Sequence, residues 1–345
     1  MKICGKMCNI DRSNTARGGI FMRKTICNKY NFNSEFDNKK IKMTPSFLMN
    51  PRGMVVMNKI MDMMKVPLVD SISRTSRFIK GKDGKNIKLY IYENESDGDI
   101  TKPVLLYIHG GAFYLDYISS YHTIASNYAK LADCKVVSVC YRTLVTSTYQ
   151  TCLDDCYQAL RWIYDNAELF HWDKNKIAVA GDSAGGNLSG ALVHLSRDLN
   201  GPNIAYQMLL YPCTTTKEDQ QSMLDFTDTP GWNSALHHKI FSYIRPSLND
   251  NMRKYFNLTD MSNFEGICDA YIEVEEFDCL RDQGKEYASL LRENGCTVSL
   301  NDVKGTFHAF DQDQSLNITK SIMKTRCDRL RASWGTEERN KEEVL

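Results

Sequence analysis

Short apolar runs alternate along the chain with longer stretches whose apolar residues recur at helical spacing. The run 104–108, Val-Leu-Leu-Tyr-Ile, is continuous, as in a central strand covered on both faces. Runs at 134–141, 176–180, 205–211, 269–276 and 297–303 read as further strands. Between them, 119–132, 152–168, 281–294 and 314–333 read as helices; Gly295 stops the third. This strand–helix alternation predicts an α/β fold with a mostly parallel sheet and helices on both faces. Ahead of it, 75–94 carries two alternating runs around Asp83-Gly84, the pattern of a hairpin.

Two stretches depart from this rhythm. At 44–66, Met54, Met57, Met61 and Met64 fall at helical spacing, and 43–64 holds seven of the fifteen methionines. That pattern fits a helix packed on a core, or a lid whose flexible thioethers line an acyl pocket. The second stretch, 212–266, has no strong strand pattern but carries Trp232, Phe241, Tyr243 and Phe256. It reads as an inserted loop-and-helix segment over the C-terminal edge of the sheet, where ligands bind.

The expected organisation is an extension over 1–42, a helical lid segment over 43–74 and a catalytic domain over 75–335. The insertion lies within that domain, and a charged tail covers 336–345. The extension holds ten Lys and Arg against three Asp and Glu, as in a solvated tail.

Composition narrows the class only a little. The chain has 345 residues, 42% hydrophobic and 25% charged, enough for one large α/β domain. A net charge of +1 gives no reason to expect nucleic-acid binding. The twelve cysteines follow no apolar leader and are read as free thiols in a reducing, cytoplasmic compartment. Cys4 with Cys8, and Cys152 with Cys156, lack a second pair at zinc-site spacing, so neither a metal nor a cofactor is expected. No apolar run is long enough to span a membrane as a helix.

The chemistry concentrates in 176–195, KIAVAGDSAGGNLSGALVHL. An apolar strand enters Gly181-Asp182-Ser183-Ala184-Gly185, and a helix follows with Leu188, Leu192 and Leu195 on one face. GxSxG between strand and helix is a nucleophile elbow: the serine sits on a strained turn that needs small neighbours. The motif alone is weak evidence and needs an oxyanion loop before it and an acid and a base after it. His109-Gly110-Gly111-Ala112-Phe113 follows a buried strand, where backbone N–H groups can serve an oxyanion together with Ala184.

Of seven histidines, only His308 follows a strand after a candidate acid. His109 is expected to fix loop shape, and His122, His171 and His194 to be structural or exposed. His237 and His238 are expected on the lid surface, with substrate contact as the alternative. Asp278 is the favoured acid, just past a strand end. Asp282 is the runner-up, better read as a helix N-terminal charge. Glu275 and Glu276 are read as strand end and Asp311 as a solvated neighbour. A serine hydroxyl needs a base within hydrogen-bond reach, and a carboxylate orients that base.

These blocks together with EEFDCLRDQGKEYASLLRENG at 275–295 and GTFHAF at 305–310 resemble the hormone-sensitive-lipase-like α/β-hydrolases. That group includes bacterial carboxylesterases and arylacetamide deacetylase. The resemblance spans about residues 75 to 332. It implies an α/β-hydrolase fold with a small helical lid, and a serine carboxylesterase of short- to medium-chain acyl or aryl esters. It implies the triad Ser183, Asp278 and His308, oxyanion donation from Gly111, Ala112 and Ala184, and Gly110 shaping the turn. A small-molecule ester is the implied partner, and a homodimer is left open. Three positions depart from the group's pattern. Ala112 stands for the third glycine of HGGG. Thr143-Leu144-Val145-Thr146-Ser147 follows Tyr141-Arg142 in place of a proline-containing run. Cys279 replaces a proline. Amide or formamide hydrolysis on the same triad is the alternative activity. A non-catalytic receptor is the alternative of another class; gibberellin receptors of this fold lose the histidine that is present here.

Overall fold

A computed structural model describes residues 29–36, 46–63 and 68–336. Eight strands form one sheet in the order β1-β2-β4-β3-β5-β6-β7-β8. The hairpin is β1 (Ile72–Lys80) and β2 (Asn86–Asn94), paired antiparallel across a turn in which Gly84 takes φ +78°. β2 also runs antiparallel to β4 (Lys135–Cys140). The remaining pairings are parallel: β3 (Lys102–Ile108) with β4 and β5 (Trp172–Asp182), then β6 (Tyr206–Leu210), β7 (Ala270–Glu275) and β8 (Val298–Val303).

The continuous apolar runs are explained by what covers the sheet. Alternate residues of β3 enter two separate cores: Val104, Leu106 and Ile108 in one, Leu105 and Tyr107 in the other. β5 repeats the division, with Ile177 and Val179 opposed to Ala178 and Ala180. The first core is closed by helices α3 (Tyr149–Asp165), α4 (Ala184–Asp198) and α8 (Arg281–Glu293), through side chains such as Leu160, Leu192 and Leu291. The second is closed by α2 (Ser119–Leu131) and α9 (Asn317–Ser333), through Ile124, Tyr128 and Leu330. A strand buried on both sides has no polar face to alternate with, hence the run.

The methionine-rich stretch forms α1 (Pro51–Asp62), with Asn50 as N-cap accepting from the Gly53 amide. Met54 is buried and Met57 packs on the first core, whereas Met63, just past the helix, is exposed. Met64 lies outside the described residues. Asn58 anchors the helix to the loop after β3: its amide donates to Tyr114 O (3.1 Å), and its carbonyl accepts from Asp116 N (3.0 Å).

The insertion is helical, comprising α5 (Gln221–Asp225), α6 (Ser234–Ile244) and α7 (Asp250–Phe256). Asn233 and Asn249 cap α6 and α7 through their side chains. Residues 29–36, within the segment expected as an extension, carry buried Phe32 and Phe36 and pack beside the loops after β7 and β8. The rest of 1–42, with Cys4 and Cys8, lies outside the described residues, as does most of 336–345. No helix among the described residues is long and apolar enough to cross a membrane.

Candidate active site

The loops after β3, β5, β7 and β8 all leave the C-terminal edge of the parallel strands. Parallel pairing therefore brings the distant motifs together. At the end of β5 the chain turns through Ser183, which takes φ 55° and ψ −115° before α4 begins. Such a conformation costs about 1–3 kcal/mol in a non-glycine residue, and its surroundings must hold it. They do so by close packing. A Cβ at Gly181 would stand 2.3 Å from Gly185 O, and one at Gly185 would stand 2.0 Å from Ile108 O. The Ser183 amide donates to Leu210 O on β6 (2.9 Å).

His308 Nε2 lies 2.9 Å from Ser183 Oγ, and its Nδ1 lies 2.6 Å from Asp278 Oδ2. An ionised carboxylate only accepts, so Nδ1 carries the proton and Nε2 is left to accept from the serine hydroxyl. Asp278 is buried and fixed through its other oxygen, which accepts from Leu280 N (2.9 Å). The three residues come from positions 183, 278 and 308 and meet in one chain of contacts. Asp282 is placed otherwise: it accepts from Ser222 N (2.8 Å) in the first turn of α8. Glu275 and Glu276 are turned to the β8 loop, accepting from the Thr306 hydroxyl and from Gly305 N. Burial, and then the neighbouring Glu273, pushes the Glu275 carboxyl well above the usual carboxylate range.

The loop after β3 reverses through three successive positive φ values: Gly111 at 108°, Ala112 at 55° and Phe113 at 63°. Gly110 lies so close to β5 that a Cβ there would meet Asp182 O at 2.7 Å. Its amide donates to Asp182 Oδ1 (3.2 Å), which also accepts from the Tyr107 hydroxyl (2.7 Å). Asp182 therefore ties the β3 loop to the elbow, a role the motif gave no sign of. Ala184 is the first residue of α4, and its N–H is one of those a helix start leaves without an intrahelical acceptor. His109 is buried and stacks on Tyr141 (4.3 Å, 14°), and its Nδ1 lies 2.9 Å from Gly110 O. Burial lowers its pKa to about 4, so it stays neutral and shapes the loop.

Two expectations are corrected. Asp311 is not a solvated neighbour: it is buried, accepts from the Tyr211 hydroxyl (2.7 Å) and pairs with Arg326 Nη1 (2.7 Å). Arg326, buried on α9, also pairs with Glu273 of β7. The Tyr211 ring stands edge-on to His308 at 4.8 Å, so this ionic cluster lies behind His308. Nothing in the local pattern marks it, because its members are far apart in sequence. The second correction concerns His237, expected on the lid surface. It is buried, stacks on Phe241 (3.8 Å, 17°) and accepts from Trp232 Nε1 (3.3 Å). Trp232 in turn lies 6.3 Å from the His308 ring.

Comparison with known proteins bears on the fold and the family. The alpha/beta hydrolase fold family matches residues 105–312. A carboxylesterase of Mycobacterium tuberculosis, NlhH, is 34% identical over 211 residues, covering 60% of this chain and 66% of that protein. The chain thus spans slightly under two thirds of that relative's length. An arylesterase of Saccharolobus solfataricus is 32% identical, covering 60% of this chain and 68% of its own. Among solved structures, a bacterial heroin esterase superposes with a TM-score of 0.76 at 26% identity, over 85% of this chain and 94% of its own. Motif order, sheet topology and these matches agree: the chain belongs to the α/β-hydrolase fold family, in its hormone-sensitive-lipase-like branch.

Proposed function

We propose that this chain is a serine carboxylesterase of short- to medium-chain acyl or aryl esters, with Ser183, His308 and Asp278 as its triad. The observation that carries the reading is the continuous contact from Ser183 Oγ through the His308 ring to Asp278, centred on the strained elbow. The carboxylesterase and arylesterase among the relatives support the substrate class.

In the proposed reaction, Ser183 Oγ attacks the ester carbonyl carbon while His308 Nε2 takes the hydroxyl proton. Asp278 stabilises the imidazolium without itself taking the proton. The amides of Gly111, Ala112 and Ala184 bind the oxyanion of the tetrahedral intermediate; losing one such donor costs about 3 kcal/mol. The C–O bond to the alcohol breaks, and His308 returns the proton to the departing oxygen. Water then attacks the acyl-serine with His308 again as base, releasing the acid and restoring Ser183. The segment 46–63 and the insertion 212–266 frame the pocket as lids. Support comes from Asn58 holding the loop after β3, and from Gly231, where a Cβ would meet His308 O at 2.2 Å. We place the protein in a reducing, cytoplasmic compartment; the nine described cysteines, all free thiols, support this.

A p-nitrophenyl ester series of increasing acyl length tests the activity. Turnover at some lengths is expected, and Ser183→Ala lowers kcat on the order of 10⁶-fold. Silence at every length, with no labelling by a fluorophosphonate, removes the esterase reading. Asp278→Asn is expected to abolish most of the activity while Asp282→Asn spares it; the opposite result moves the acid.

A further inference from the structure

The loops carrying Asp278 and His308 are joined directly, Phe277 N donating to Thr306 O (3.0 Å) and Gly305 N to Glu276 Oε2 (2.8 Å), and a further segment packs on the residues next to Asp278 and His308. Residues 29–36 lie across both. Phe32 packs edge-on against Phe277 (5.1 Å) and Phe307 (5.4 Å), the residues immediately before Asp278 and His308. Tyr30 adds a second contact to Phe277 (5.4 Å), and Phe36 one to Phe307 (4.9 Å). Between them the Asn33 amide donates to Gly305 O (2.9 Å). Position 305 suits that approach only as glycine: φ is +72°, and a Cβ would stand 2.8 Å from Asn33 N.

Both ends of the segment are fastened. The Tyr30 hydroxyl donates to Asp228 of the insertion (2.6 Å), with Lys29 beside the same carboxylate (3.1 Å). Glu35 accepts from the first amides of α9, Asn317 N (2.7 Å) and Ile318 N (2.9 Å), where a negative charge complements the helix dipole. The segment therefore touches the insertion, the acid loop, the base loop and the helix that follows the base.

We propose that residues 29–36 are a strap that positions Asp278 and His308 against each other, with Phe32 as its central positioning residue. This rests on the hydrolase reading above. Phe32 touches no reacting atom; it acts through Phe277 and Phe307. Aromatic pairs at these separations resist sliding because ring edge and face must stay matched. Loss of the wedge leaves Phe277 and Phe307 unsupported on that side, so that the Asp278 and His308 side chains beside them shift even though backbone hydrogen bonds still join the two loops.

The test uses the full chain with Phe32→Ala, Phe32→Leu and Glu35→Gln. Two quantities are read: kcat and KM on p-nitrophenyl butyrate, and the far-downfield proton resonance of the His308 Nδ1–H in the unligated protein. Since a misplacement of about 1 Å can cost on the order of 10²-fold, Phe32→Ala is expected to lower kcat roughly tenfold or more with KM within about twofold. The resonance should broaden or vanish. Phe32→Leu, which refills the volume, should recover much of both, and Glu35→Gln should show a weaker loss of the same kind. A folded Phe32→Ala protein with a lower Tm but the original kcat and resonance overturns the strap. Should Phe32→Ala fail to fold, unchanged kcat and resonance in both other variants overturn it. If the unaltered chain neither turns over esters nor labels, the hydrolase reading falls, while the resonance still decides whether the segment holds the Asp278–His308 contact.

Discussion

Asp182 occupies the variable position of the elbow motif, and burial raises its carboxyl to about 6 from an ordinary 3.8, against the lowering effect of the Tyr107 hydroxyl. The folded state therefore holds the proton more tightly than the unfolded chain does. The stabilising contribution is fully present below about pH 3.8 and is lost as pH rises through about 6. At 1.36 kcal/mol per pH unit, the ionised group weighs against folding by on the order of 3 kcal/mol at neutral pH. Asn keeps an oxygen for Tyr107 and Gly110 and carries no charge. Asp182→Asn is thus expected to raise Tm at pH 8 and to flatten the fall in stability between pH 4 and 6. Chemical denaturation across that range checks it; an unchanged pH dependence would show that Asp182 is not the group responsible. That Ser183, Asp278 and His308, the proposed triad, lie at one sheet edge was legible in the sequence because each follows an apolar run that announces a strand end. Asp182 was printed in the same motif, but its partners Tyr107 and Gly110 are more than seventy residues away, and no local pattern links them.

Elements were legible wherever burial imposes a period. Runs at 104–108 and 176–180 became β3 and the middle of β5, and the helix expected over 281–294 became α8 (Arg281–Glu293). β5 begins earlier than its apolar run, at Trp172, because Lys102 pairs with it beyond a register irregularity. What the period cannot carry is how elements are fastened to each other. Arg326 joins α9 to β7 through Glu273 and to the turn after His308 through Asp311. On a helix wheel it falls on the same face as Met323, Cys327 and Leu330, and it is buried there. Removing one member of a buried ion cluster leaves the others uncompensated, a cost of about 3–5 kcal/mol. Arg326→Met is expected to lose about that much, measured by urea unfolding. Adding Glu273→Gln and Asp311→Asn should restore part of the loss. A loss under 1 kcal/mol would mean the cluster is not held as described.

Across the whole molecule, parallel pairing from β3 to β8 gathers four loops at one sheet edge. Three further segments touch loops at that edge: residues 29–36 through Phe32, α1 through Asn58, and the insertion through Gly231. Their packing was the least legible part of the chain. Phe32 and Phe36 are buried and Tyr30 partly buried against residues far away in sequence, and in a segment rich in Lys, Arg and Asn they have no periodic neighbours to mark them. A sequence shows which residues a regular element will bury, whereas a strap is defined only by the surface it crosses.

The central claim is that ester hydrolysis passes through an acyl group on Ser183. Rapid mixing of the full chain with p-nitrophenyl butyrate, acid quench and peptide mass analysis measure it directly. One butyryl group per chain is expected, on the peptide carrying Ser183, formed with a matching burst of p-nitrophenol and absent in Ser183→Ala. Turnover with no acylated peptide, or an acyl group on another residue, would contradict it.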